Sequence, residues 1–173
     1  MRLILFTVKH VASLSTFIVM VLLAPISAWA DCADAPAPKV DWGRCILDGR
    51  DFRGADLTGV YLRDAQALRA DLSQAKLAKV DATRAKFVAA KLVGADFSSA
   101  RLQEVDFSSV DAKGASFKNA DLRTAKFFEA DLKGADFTGA QVRATDFFRA
   151  DLSGARWIDG TKICAAGSIG SCQ

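Results

Sequence analysis

From Cys45 to Asp159 an apolar residue recurs every five positions without an insertion. With unit centres at Leu47, Phe52, Leu57, Leu62 and onward to Trp157, there are 21 centres between Phe52 and Leu152. Seventeen of them are Leu or Phe; the others are Ala67, Ala82, Ala112 and Val142. Two residues before the centre stands Ala or Val in 19 of those 21 units, with Arg50 and Thr145 the exceptions. The residue just before the centre is commonly Asp, as at Asp56, Asp71, Asp96, Asp121, Asp131 and Asp151. A period of five fits neither the 3.6-residue helix nor the two-residue alternation of a strand. It predicts a solenoid in which each unit makes one short side and then turns. Every glycine in the array, from Gly49 and Gly54 to Gly154, stands second after a centre. That is the place for a positive φ at the corner of a type II turn.

A second period lies inside the first. If four units close one coil, residues twenty apart stack. The column Leu47, Ala67, Phe87, Phe107, Phe127, Phe147 then becomes a phenylalanine ladder, as does Leu57, Leu77, Phe97, Phe117, Phe137, Trp157 opposite it. Between them run Phe52, Leu72, Leu92, Ala112, Leu132, Leu152 and Leu62, Ala82, Leu102, Leu122, Val142. The corner column 54, 74, 94, 114, 134, 154 is glycine everywhere except Gln74. Phe-rich and Leu-rich sides alternate around a square.

Segments such as Ala-Asp-Leu-Thr-Gly (55–59) and Ala-Asp-Leu-Lys-Gly (130–134) resemble the repeat of the pentapeptide-repeat family. The resemblance implies an all-β fold, a right-handed quadrilateral β-helix of about 5–6 coils over residues 45–159, with the centre and the small residue two before it both pointing inward. Two inward residues on one side cannot both be large, which accounts for Ala beside each Leu or Phe. At the inter-strand spacing of ~4.8 Å the rod is roughly 27 Å long. A solenoid needs its terminal coils covered; residues 31–44 and 160–173 are the expected caps.

The first thirty residues read as a secretory signal. Arg2 and Lys9 precede an uncharged stretch, Val11 to Ala24, which Pro25 ends before a small-x-small site at Ala28-Trp29-Ala30. The stretch is short for a bilayer span, which needs about twenty residues, so cleavage is expected in preference to an uncleaved anchor. Asp31 before Cys32 argues against a lipoprotein. A periplasmic or secreted chain with four cysteines is expected to hold two disulfides, for which three connectivities exist. Bonded cysteines need Cα atoms within about 7 Å. On a rod with Cys32 and Cys45 at one end and Cys164 and Cys172 at the other, that favours Cys32–Cys45 and Cys164–Cys172. Metal ligation is the alternative.

Composition narrows the function. The sequence has one histidine, His10, inside the expected signal, and one tyrosine, Tyr61. Most of the Asp residues fall at one repeated outward position, where ladder and turn hydrogen bonds explain them. No catalytic, cofactor or metal site is expected. Without the signal, 21 basic and 20 acidic side chains remain. The family resemblance brings in topoisomerase inhibitors that imitate DNA with an acidic rod, an alternative that near-neutral charge and export both disfavour. Direct nucleic-acid binding lacks its basic footprint; Arg63, Arg101, Arg123 and Arg143 share one side, but Asp81 and Asp121 interrupt them.

The remaining signal is apolar. The outward position after each centre is usually polar, yet one side reads Asp48, Leu68, Val88, Ser108, Phe128, Phe148. Leu68, Val88, Phe128 and Phe148 form a candidate protein-contact stripe for an unknown partner or a second copy. Coverage by the C-terminal tail, or a purely structural ladder, are the other readings, and a slip at Ala67 would carry Leu68 inside. The expected role is an exported, non-catalytic scaffold or protein-binding rod with no membrane anchor once the signal is cleaved.

Overall fold

The computed structural model describes residues 32–173; the expected signal, 1–30, lies outside the described residues. From Asp41 to Arg156 the chain winds as a four-sided solenoid. Twenty parallel bridges join residues that are twenty apart, beginning with Asp41–Tyr61 and ending with Asp136–Arg156. Each unit supplies the same three bonds to the next coil. Leu57 N–H donates to Lys76 C=O at 2.8 Å and Gly59 N–H to Ala78 C=O at 2.9 Å, while Lys76 N–H returns to Ala55 C=O at 2.9 Å. No side has room for a regular strand, so the sheet on each face is a stack of single bridges.

The corners explain the period. Val60 N–H closes a turn onto Leu57 C=O at 3.2 Å. The residue two after the centre has positive φ in every unit from Lys39 to Gly154, between 55° and 71°. Glycine is the favoured occupant, but sixteen of these positions carry a side chain, Thr124 among them. Bonds to the next coil on one side and across the turn on the other hold the strained conformation in place.

We call the sides face 1 (Phe52 to Leu152), face 2 (Leu57 to Trp157), face 3 (Leu62 to Val142) and face 4 (Leu47 to Phe147). The centres and the small residues beside them fill the interior, and nearly all are buried. The two aromatic ladders form as the twenty-residue period requires. On face 4, Phe87, Phe107, Phe127 and Phe147 stack at 5.3, 5.0 and 5.3 Å. On face 2, Phe97, Phe117 and Phe137 stack at 5.5 and 5.2 Å. The ladders meet edge to face across the core, as Phe107 and Phe117 do at 5.9 Å. Aromatic pairs of this kind each add about 0.5–1.5 kcal/mol to the burial of their area.

The solenoid starts earlier than the expected boundary at Cys45. Lys39 and Arg44 already have the corner conformation, Asp41 pairs with Tyr61, and Trp42 is a fully buried face-3 centre. The unit Val40-Asp41-Trp42-Gly43-Arg44 obeys the rule with Trp in place of Leu or Phe, so it belongs to the array and not to the cap.

The tail reverses the sheet polarity. Ile169 and Ile163 pair antiparallel with Asp151 and Arg156, and Leu152, Gly154 and Trp157 donate to Ser168, Cys164 and Lys162. Residues 160–173 therefore cover the ends of faces 1 and 2. Disulfides join Cys32 to Cys45 and Cys164 to Cys172, with Cα atoms 5.5 and 4.8 Å apart.

Candidate protein-contact face

The outward positions of each face stack into columns, and charge chemistry differs from column to column. On face 1 acids and lysines interlock. Lys113 Nζ lies 3.0 Å from both Asp111 and Asp131, and Lys133 Nζ lies 3.4 Å from Asp131 and 2.8 Å from Asp151. The Lys133 ammonium and the Ser153 hydroxyl hold the Asp151 carboxyl down at about 2. Burial pushes Asp131 up, but hydrogen bonds led by that from Lys113 outweigh it and leave the carboxyl below its ordinary value. These carboxylates are neutralised in place.

Face 3 carries a shallow groove of about 1020 Å³ beside the Cys32 cap, lined by Tyr61 and by Arg44, Arg63, Arg84 and Arg101 among others. The repeat pattern did not single out this groove; the lone Tyr61 at a bridge position is the signal that points to it. Its charges are largely spent on one another. Arg63 donates to the buried Asp81 at 2.8 Å, and Arg84 grips both oxygens of Asp64 at 2.7 and 2.8 Å. Burial raises the Asp81 carboxyl, yet Arg63 and Thr83 together bring it below the ordinary value. The Arg-bearing side is thus a mixed face on which Arg63, Arg84, Arg101 and Arg123 each meet an acid; Arg123 is bound to Asp121 at 2.6 Å.

Face 4 is different. Phe128 and Phe148 stack on successive coils, with centroids 6.0 Å apart and planes 18° from parallel. Phe148 is 62% exposed, while Phe128, Val88 and Leu68 are half-exposed. Leu68 stays outside: Ala67 remains the buried centre, and Leu68 N–H bonds to Asp48 Oδ1 at 2.8 Å. The tail does not cover the stripe. Its pairing runs along Ala150, Leu152, Gly154 and Trp157, on faces 1 and 2. Beside the stripe stands the bridge column Gln66, Lys86, Asp106, Lys126, Asp146.

With this geometry in view, comparison with known proteins gives a consistent answer. The chain matches the family model of pentapeptide repeats (8 copies) over residues 39–77 and that of the pentapeptide repeat region over residues 80–157. It belongs to the pentapeptide-repeat family, and its fold is the right-handed quadrilateral β-helix. Among solved structures it is similar to HetL, a pentapeptide repeat protein involved in heterocyst differentiation regulation from the cyanobacterium Nostoc. The two share 26% identity over 75% of this chain and 67% of that one, at a TM-score of 0.49. It is also similar to a pentapeptide repeat protein of the Arabidopsis thaliana thylakoid lumen (27% identity, 60% and 69% of the two chains, TM-score 0.33). A third is full-length QnrB1, a plasmid-mediated fluoroquinolone resistance protein (20% identity, 73% and 78%, TM-score 0.33). No curated protein matches the chain.

Proposed function

We propose that the protein is an exported, non-catalytic rod that binds another protein chain through face 4. The observation that carries this reading is the Phe128–Phe148 stack on successive coils, continued along the same outward column by Val88 and Leu68. Other exposed apolar side chains, Ile46, Tyr61, Ile158, Ile163 and Ile169, lie outside that column. Exposed apolar groups in contiguous rows mark contact sites, and stacked aromatics present large area with few rotatable bonds to immobilise. Export rests on residues 1–30 and on the two disulfides at the ends of the rod, which suit an oxidising compartment. Imitation of DNA has little to work with on this surface, because the carboxylates of face 1, and Asp64, Asp81 and Asp121 of face 3, are bound to Lys and Arg of the same chain.

The test is fractionation followed by cross-linking in cells, comparing wild type with Phe128→Glu/Phe148→Glu. The expected result is protein outside the cytoplasm, lacking residues 1–30, with a cross-linked adduct that the double variant loses while its melting temperature is kept. Cytoplasmic retention would overturn the export reading. Adducts unchanged by the double variant would overturn the assignment of face 4.

A further inference from the structure

We propose that the occupant of face 4 is a second copy of the same chain, lying antiparallel about a two-fold axis that passes between the level of Asp106 and Ser108 and the level of Lys126 and Phe128. The inference rests on the reading of face 4 as a contact face and goes on to name its partner. It follows from a symmetry in the sequence of the columns.

When two such faces meet about a two-fold axis along the strand direction, each column faces itself in reverse order. The bridge column reads Lys86, Asp106, Lys126, Asp146 at the ~4.8 Å spacing of the coils. Reversed, it sets Lys86 opposite Asp146 of the second copy and Asp106 opposite its Lys126, and the symmetry repeats both pairs. Every charge in the column meets its opposite. None of the four is in an ion pair within the described chain. Asp106 and Asp146 use Oδ1 to hold the N–H of Ser108 and Phe148, and neither Oδ2 accepts a hydrogen bond among the described residues.

Shape follows the same reversal. The outward column Val88, Ser108, Phe128, Phe148 sets Phe148 against Val88 of the second copy and Phe128 against its Ser108. The corner column Ala89, Ser109, Glu129, Arg149 sets Arg149 against Ala89 and Glu129 against Ser109. In both columns the tall half of the face meets the low half. A parallel arrangement, about an axis along the rod, would instead exchange the bridge and corner columns level by level. Lys86 and Asp106 would face Ala89 and Ser109 with no countercharge, and Lys126 and Asp146 would face Glu129 and Arg149, which already pair with each other within one chain. Face 1 fails the reversal, because Asp71 would meet Asp131. Face 2 satisfies it in sign but has no apolar column, and its Asp136 is already bound to Lys118 at 3.2 Å.

Four coil levels make a patch roughly 20 Å long, at the small end of specific interfaces. The dimer is therefore concentration-dependent, and salt weakens it, because its ion pairs lie near the surface.

The test is sedimentation of the purified, disulfide-bonded chain over a concentration range up to about 500 μM, where even a weak interface of this class is populated. Wild type is expected to dimerise. Asp106→Lys or Lys126→Asp alone is expected to weaken dimerisation by roughly tenfold or more, because each places like charges together twice. The double swap Asp106→Lys/Lys126→Asp is expected to restore it, since the two exchanged charges again face their opposites across the axis. Both residue types already occupy this column in neighbouring units, so the fold accommodates each variant, and melting curves check that it does. A monomeric wild type, or a double swap no better than the single changes, overturns the proposal. A monomer whose cross-links in cells still depend on Phe148 overturns the homodimer but leaves face 4 as a contact site. A monomer whose cross-links ignore Phe148 removes both.

Discussion

The guanidinium of Arg50 lies over the ring of Trp42, 5.6 Å from its centroid, and over that of Phe52 at 5.1 Å. Its Nη1 donates to Cys32 C=O at 2.8 Å. Arg50 stands where almost every other unit has Ala or Val. In the first coil that position looks toward the cap, and a long cation closes the end of the core with its guanidinium over two rings and one N–H on the cap carbonyl. Thr145, the other exception, lies in the last coil, where its Oγ1 bonds to Leu122 C=O at 2.8 Å. The two departures from the small-residue rule mark the two ends of the barrel.

Arg50→Ala should therefore cost more than an exposed arginine normally does. We expect a loss of about 1–2 kcal/mol from the cation–π contacts and the bond to the cap, with Arg50→Lys intermediate. Thermal unfolding of the oxidised protein measures it. An unchanged melting temperature would show that the cap holds without Arg50.

Inward and outward phenylalanines separate the register from hydrophobicity in general. Phe107 touches Phe87, Phe97, Phe117 and Phe127 and is fully buried, so Phe107→Ala is expected to cost about 3–5 kcal/mol. Phe148→Ala, on the outside, is expected to stay within about 0.5 kcal/mol of wild type. Denaturant melts of the two variants check both. Equal effects would contradict the inward assignment.

The corner strain predicts stabilising substitutions. Thr124 is β-branched and held at φ 58°, a conformation that only glycine takes without cost. Thr124→Gly is expected to gain up to about 1 kcal/mol, net of the greater freedom of glycine in the unfolded chain. A clear loss in the measured stability would mean that the Thr124 side chain contributes more than its backbone costs.

Acid should loosen face 1 in a narrow window. Asp151 titrates at about 2 in the folded chain against an ordinary value of 3.8. A depressed folded value means that its contribution is complete above the unfolded pKa and is lost as pH falls through the folded one, between about pH 4 and 2. The contribution is up to about 2 kcal/mol, and Asp151→Asn is expected to flatten the fall in melting temperature across that window. An identical acid profile for the variant would remove Asp151 from the cause.

Most of the fold was legible because a solenoid repeats one local solution. Each centre, small residue and corner states its environment many times over, so that Ala67 or Gln74 could be placed by its column alone. The start of the array is less legible, because in the first unit the glycine, Gly43, stands one residue ahead of the corner, which Arg44 occupies. The groove beside Tyr61 was not foreseen, since the five-residue repeat describes single units, and a groove arises from side-chain lengths on several coils. Face 4 was visible as the Phe128–Phe148 column. What the sequence pattern alone could not supply was the neutralisation of faces 1 and 3, which depends on how far each Lys and Arg reaches.

The most direct measurement places a photoreactive residue at one outward position of each face, at 113, 118, 123 and 148, and reads protein–protein adducts in living cells. Face 4 as the contact face requires adducts from position 148 and none above background from 113, 118 or 123. Adducts spread evenly over the four positions, or concentrated at any but 148, would contradict it.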